Sequence, residues 1–187
     1  MTASLIVVGG GARSGKSAFA LALAKRRGDR RAFIATATVR DAEMERRVTR
    51  HRSERGEAFD TFEAPLDVVE RVATLRGYDV VLLDCLTLAI ANRVLAQERR
   101  TDEQLEHAIE LFTRDLLEAI AQQPATMVVV TNEVGMGIVP ETRLGRLFRD
   151  VAGRANQRFA GAADELYLAV LGVVLRVRPA PVEACGT

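Results

Sequence analysis

Eight consecutive residues carry the strongest chemical signal in the chain. Gly10-Gly11-Ala12-Arg13-Ser14-Gly15-Lys16-Ser17 fits G-x-x-x-x-G-K-[ST] at every required position. Glycines at both ends let backbone N–H groups turn inward around an anion, and a helix starting at the lysine aims its positive end at the same point. Lys16 then reaches the β and γ phosphates of a nucleotide, and Ser17 offers a hydroxyl to Mg²⁺. A second part comes from Tyr78 to Asp84, YDVVLLD, an apolar run closed by an acid. A carboxylate at the end of such a strand can hold the same cation, directly or through water; the alternative is an N-cap for the next helix. Thr87, just beyond, is expected to face the phosphates.

The chain has two histidines. His51 lies in EMERRVTRHRSERG, where 100° per residue puts Arg47, Arg50, His51 and Glu54 on one helix stripe. Guanidinium neighbours disfavour imidazolium, which leaves a neutral, nucleophilic ring near pH 7, and they could hold a triphosphate against it. On this pattern alone, a solvated charged helix with an incidental histidine is the simpler reading. His107 sits in an ordinary amphipathic pattern, DEQLEHAIELFTRDLLEAI, and reads as structural. A third region, Thr131 to Pro140, is a glycine-rich loop after an apolar strand, with Asn132 and Glu133 as possible polar contacts. The helix after it carries Arg143, Arg146, Arg149, Arg154 and Arg158; Arg146 and Arg149 share a face suited to phosphate or to a neighbouring subunit. The Asn-Lys-x-Asp signature of guanine recognition is absent, so these residues do not specify the base.

The elements that must position these groups alternate. Apolar runs at Leu5–Val8, Ala32–Thr36, Tyr78–Asp84 and Thr126–Thr131 read as strands, the last two buried on both faces. Helical patterns cover Ser17–Arg27, Ala42–Arg55 with Asp41 as N-cap, Leu66–Leu75, Leu86–Leu95, Asp102–Gln122 and Glu141–Ala160. Leu166–Val170 and Val173–Val177 close the chain as a hairpin around Gly172. This alternation implies the α/β class, a mostly parallel sheet with helices on both faces and an antiparallel C-terminal hairpin. Each chemical motif falls at a strand's carboxyl end, where such sheets bind ligands.

Composition sets the outer limits. The chain has 187 residues, 48% hydrophobic and 27% charged, which fits one nucleotide-binding domain over residues 1–178 and a proline-containing tail over 179–187. Twenty-six Lys+Arg against 25 Asp+Glu, with 5% aromatics and no Trp, argue against a nucleic-acid partner. No apolar run approaches the roughly 20 residues of a membrane-spanning helix. Cys85 and Cys185 suggest neither a disulfide framework nor a zinc site, and a reducing, cytoplasmic location is expected.

Four segments in order, GGARSGKS, DAEMERRVTRHR, LLDCLT followed by Asn92, and TNEVGMGIVPETRLGRLFRDVAGRANQRFAGAADE, resemble the bifunctional adenosylcobinamide kinase/adenosylcobinamide-phosphate guanylyltransferase family of cobalamin biosynthesis. The resemblance runs from about Leu5 to Val177. It implies a RecA-like P-loop fold, ATP and GTP as substrates with Mg²⁺, and adenosylcobinamide and its phosphate as acceptors. It implies phosphorylation of adenosylcobinamide, then transfer of GMP from GTP through a guanylylated histidine, and His51 is the histidine at the matching place. Lys16 and His51 are then catalytic. Gly10 to Ser17, Arg47, Arg50, Glu63 and Asp84 bind nucleotide, and Ser17 and Asp84 hold the metal. A homotrimer is implied too. Ala89 stands where relatives often carry an aromatic, which is expected to alter packing around the corrinoid or a subunit contact. The competing readings are a monofunctional P-loop kinase of a small metabolite and a RecA-type nucleotide-dependent switch.

Overall fold

The computed structural model describes residues 4–38 and 56–180. The stretch assigned to a helix over 42–55, with Arg47, Arg50 and His51, lies outside the described residues, as does most of the C-terminal tail.

Seven strands form one sheet: β1 (Leu5–Gly10), β2 (Arg31–Ala35), β3 (Asp60–Glu63), β4 (Val80–Asp84), β5 (Thr126–Asn132), β6 (Glu165–Val170) and β7 (Val173–Arg178). Their spatial order is β3-β2-β4-β5-β1-β6-β7. All neighbours pair in parallel except β6 and β7. The hairpin between those two turns on Leu171 and Gly172, at φ 52° and 82°. Two successive left-handed residues match the right-handed twist of the strands they join.

The apolar runs become the central strands because both faces need cover. Ile6, Val8, Phe33, Leu82, Val128 and Val130 pack with Ala20, Leu21, Leu23 and Ala24 of helix α1 (Lys16–Arg27). On the other face, Val7, Ile34, Leu83 and Val129 meet α2 (Val68–Thr74), α3 (Leu86–Ala96), α4 (Asp102–Ala121) and α5 (Arg143–Ala162). Local signals set the helix starts. Thr101 and Gln104 form a reciprocal capping box on α4. Thr142 caps α5 by accepting from Gly145 N–H at 3.1 Å. At the far end of α5, the Arg178 guanidinium donates to the carbonyls of Ala160 and Ala163 at 2.9 and 3.0 Å, satisfying acceptors the last turn leaves open.

Several sequence expectations change. The strand β3, DTFE, has no apolar run and was not expected. The helix expected from Leu66 begins at Val68, and the one expected from Glu141 begins at Arg143. Ala89 is fully buried within the core of this chain, where its small side chain packs α3 against the sheet. The arginines of α5 find partners within the chain. Arg143, Arg154 and Arg158 pair with Asp102, Glu106 and Glu110 of α4. Arg146 donates to the carbonyls of Pro140 and Glu141, and Arg149 pairs with Asp150.

The ionic seam between α4 and α5 is solvated, whereas Phe159 of α5 is fully buried. Phe159→Ala should therefore lower the unfolding free energy by about 3–5 kcal/mol, the usual cost of a large side chain lost from a core. Arg154→Ala should leave the urea midpoint nearly unchanged. Equal or reversed losses in urea titrations would mean that charge pairing, not burial, holds α5 to the sheet.

Candidate nucleotide site

The phosphate loop leaves the sheet at the carboxyl end of β1. Gly10 ends the strand at φ 154°, and a Cβ there would lie 2.5 Å from the Ala169 carbonyl oxygen and 2.8 Å from Ser14 Oγ. Only glycine fits. Arg13 and Gly15 adopt left-handed φ of 56° and 92°, which turns the loop into α1. Gly15 is the N-cap residue and has no side chain to give, and the first turn of α1 holds no acid. The amino end of this helix therefore presents its N–H groups with neither a capping oxygen nor a compensating charge, the electrostatics an anion requires. Ser14 Oγ is buried with no hydrogen-bond partner among the described residues, a second donor suited to a phosphate oxygen. Lys16 is buried and folds over the loop, donating to the Gly11 carbonyl at 2.9 Å. Ala12 and Arg13 are exposed at the loop's outer turn, and Ser17 is half-buried at the start of α1.

Asp84 sits at the carboxyl end of β4, as expected. In register across the sheet lie Glu63, Ala35, Asp84, Val130 and Val8, so the alternation of a pleated sheet puts Glu63 and Asp84 on the face that α1 covers. Only β5 separates β4 from β1, which sets Asp84 about 10 Å across from the phosphate-loop strand. Glu63 is two strands further out, on the edge. Asp84 and Lys16 both act electrostatically on Cys85. Burial first, then the Asp84 carboxylate, pushes the Cys85 thiol up to about 12, with Lys16 pulling weakly the other way. Cys85 is thus a neutral part of the wall beside Asp84.

Sequence reasoning missed the clamps that fix this wall. Thr36, fully buried after β2, donates its hydroxyl to Cys85 O and accepts from Cys85 N–H, both at 2.8 Å. Asn92 on α3 donates to the carbonyls of Thr36 and Pro65 at 2.8 and 3.1 Å. Thr87 does not face the phosphates. It is buried on the opposite face, where Asn132 N–H donates to its hydroxyl at 2.6 Å and Thr131 lies 3.1 Å away. Glu133 N–H donates to Gly10 O at 3.0 Å, tying the loop after β5 to the phosphate loop. Glu133 Oε1 accepts from Gly135 N–H, so its carboxylate shapes that loop. His107 is exposed on α4.

In a Cys185→Ser chain, Cys85 should resist iodoacetamide at pH 8 while the protein is folded. A thiol near 12 leaves roughly one thiolate in ten thousand at that pH. Unfolding in guanidinium should release one fast-reacting thiol. Rapid alkylation of the folded chain would contradict the burial of Cys85.

Residues 6–177 match the cobinamide kinase / cobinamide phosphate guanyltransferase family. The chain is 42% identical over 183 residues to the bifunctional adenosylcobalamin biosynthesis protein CobU of Escherichia coli, covering 93% of this chain and 99% of that protein. It is 36% identical over 177 residues to the bifunctional adenosylcobalamin biosynthesis protein CobP of Pseudomonas aeruginosa, covering 92% and 96%. Among solved structures, the RadB recombinase superposes with a TM-score of 0.50 at 14% identity, over 88% of this chain and 73% of that one, a likeness of fold alone. With a phosphate loop at β1, an acid closing β4 and this match along nearly its whole length, the chain belongs to the cobinamide kinase / cobinamide phosphate guanyltransferase family.

Proposed function

We propose that one triphosphate cradle serves both reactions of this bifunctional enzyme of cobalamin biosynthesis. The observation that carries the reading is the uncapped amino end of α1 beneath a glycine loop whose buried Ser14 hydroxyl has no partner among the described residues. As adenosylcobinamide kinase, the chain holds the nucleotide through the N–H groups of Gly10 to Ser17, with Lys16 at the β and γ phosphates. The substrate hydroxyl oxygen attacks the γ phosphorus and loses its proton. The bond to the β–γ bridging oxygen breaks, and the nucleoside diphosphate leaves with the electron pair. ATP and GTP are both assigned as donors.

As adenosylcobinamide-phosphate guanylyltransferase, the chain uses GTP and, in our reading, His51. An imidazole nitrogen attacks the α phosphorus and pyrophosphate leaves with its electron pair. The acceptor phosphate oxygen then attacks the same phosphorus, and the N–P bond breaks back to the ring. Splitting the exchange in two is the usual gain of covalent catalysis. Arg47 and Arg50 are assigned to the triphosphate, and Glu63, at the edge of the same sheet face, is assigned to the nucleotide. Lys16 and the loop N–H groups stabilise charge on the phosphoryl oxygens in both steps.

The Ser17 hydroxyl and the Asp84 carboxylate would hold Mg²⁺, which would neutralise the phosphates when bound. Both are hard oxygen donors, and among the described residues no cluster of three or more His, Cys, Asp or Glu offers a fuller cage, so nucleotide and water would complete the shell. The exposed apolar tips Met136, Ile138 and Leu171, 88–95% accessible at the loop after β5 and at the hairpin, fit a surface that a neighbouring subunit covers in a homotrimer. No described helix is long and apolar enough to cross a membrane; a cytoplasmic enzyme fits these substrates.

Two labels test the reading. With adenosylcobinamide and Mg²⁺, the γ label of ATP and then the α label of GTP should both enter the corrinoid product. Lys16→Ala should slow phosphorylation by roughly 10²-fold or more, as loss of a preorganised phosphate contact does. Asp84→Asn should raise the Mg²⁺ needed for half-maximal rate, and excess Mg²⁺ should restore part of the activity. An unlabelled corrinoid, or a Lys16→Ala chain of normal rate, would overturn the assignment.

A further inference from the structure

The two faces of β5 end differently. Asn132 follows Val128 and Val130 on the α1 face, and its side-chain amide approaches Cys85 Sγ at 3.6 Å. It therefore lies beside the Asp84–Cys85 step, in register with Gly10 of the phosphate loop. Thr131 points the other way, into a buried polar cluster between the sheet, α3 and α5.

The bonds of that cluster close into a ring around the Asn132 peptide. Asn132 N–H donates to Thr87 Oγ1 at 2.6 Å. Thr131 Oγ1 donates to Asn156 Oδ1 at 2.6 Å, and Asn156 Nδ2 donates to Asn132 O at 3.1 Å. Thr131 has one hydroxyl hydrogen, already given to Asn156, so Thr87 must be the donor across the 3.1 Å between the two threonines. Each hydroxyl then gives one hydrogen bond and takes one. The Asn156 amide cannot flip, because its oxygen would then face the Asn132 carbonyl. Thr87 and Thr131 are nearly inaccessible to solvent, so water cannot readily replace a lost partner.

We propose that Thr87, Thr131 and Asn156 are positioning residues for phosphoryl transfer, acting through Asn132, whose carboxamide their ring holds on the phosphate-loop face beside Asp84. The ring grips both the N–H and the C=O of the Asn132 peptide, so its side chain leaves the strand in one direction. The assigned role of that carboxamide is to donate to an oxygen of the phosphoryl group as it passes from nucleotide to acceptor hydroxyl. The inference rests on the kinase reading above and extends it to residues on α3 and α5 that touch no substrate.

The test is a double-substitution cycle read in the kinase step. Thr131→Val keeps shape and burial but opens the ring; Thr131→Ser keeps the hydroxyl. Thr131→Val should lower kcat by about 10- to 100-fold with the KM for nucleotide within about threefold, the signature of misplacement without lost binding. Thr131→Ser should recover most of that loss. In an Asn132→Ala background, Thr131→Val should cost nothing further, because its effect passes through a side chain already gone. Asn156→Ala repeats the comparison from a half-buried helix position if Thr131→Val fails to fold. Nucleotide binding by calorimetry separates the two readings. A wild-type chain that binds no Mg²⁺-ATP, or does not phosphorylate adenosylcobinamide, overturns both. Normal binding with unchanged kcat in Thr131→Val, or an undiminished loss in the Asn132→Ala background, overturns the positioning role alone.

Discussion

The amino end of α1 is the constraint around which this chain is arranged. A helix that starts at a left-handed glycine, with no capping side chain and no acid in its first turn, leaves its N–H groups unanswered from within. The fold keeps that arrangement in place by packing. Gly10 is pressed against the Ala169 carbonyl, β1 is held on both edges by β5 and β6, and α1 rests on β4 and β5 through small apolar residues. Lys16 is buried with its ammonium on a backbone carbonyl. Each feature costs stability taken singly and makes sense together as a preformed anion site.

Strand order does the rest. Inserting β5 between the phosphate-loop strand and the Asp84 strand leaves about 10 Å between them, a span suited to a phosphate chain with its cation. It also makes the end of β5 the floor of that gap. On the proposed reading, one cradle serves two attacks, at the γ phosphorus and at the α phosphorus, by holding the triphosphate and leaving the choice of nucleophile to other elements. The clamps around it, Thr36 on Cys85 and the threonine–asparagine ring on Asn132, are buried and polar, which is costly unless each partner is matched.

The sequence made the frame legible where physics leaves a periodic mark. β4 and β5 are covered on both faces and so appear as unbroken apolar runs, and α4 carries its own cap. β3 was invisible because an edge strand of Asp-Thr-Phe-Glu needs neither alternation nor an apolar run; its half-buried Phe62 packs on neighbouring Tyr78 at 6.1 Å. The phosphate loop was legible because its spacing is a backbone requirement. Thr87 was misplaced because which face a threonine takes depends on where α3 begins. The rings and clamps join residues 24 to 56 positions apart, and no local pattern announces such pairs. Arg143, Arg154 and Arg158 gave no sign in the sequence of their acid partners on α4, which lie 41 to 48 residues away. The role given to His51 came from family resemblance, since a histidine among arginines has no unique physical reading.

The central claim is that GMP passes through a bond to His51. The most direct measurement is to incubate the purified chain with GTP labelled on the α phosphate and Mg²⁺, denature it, and map the label by peptide mass spectrometry. The account predicts one labelled peptide containing His51, with a bond that is labile in acid and stable in alkali. His51→Asn should abolish it, and His107→Asn should leave it intact. Label on any other residue, or none surviving denaturation while GMP still reaches adenosylcobinamide phosphate, would contradict the account.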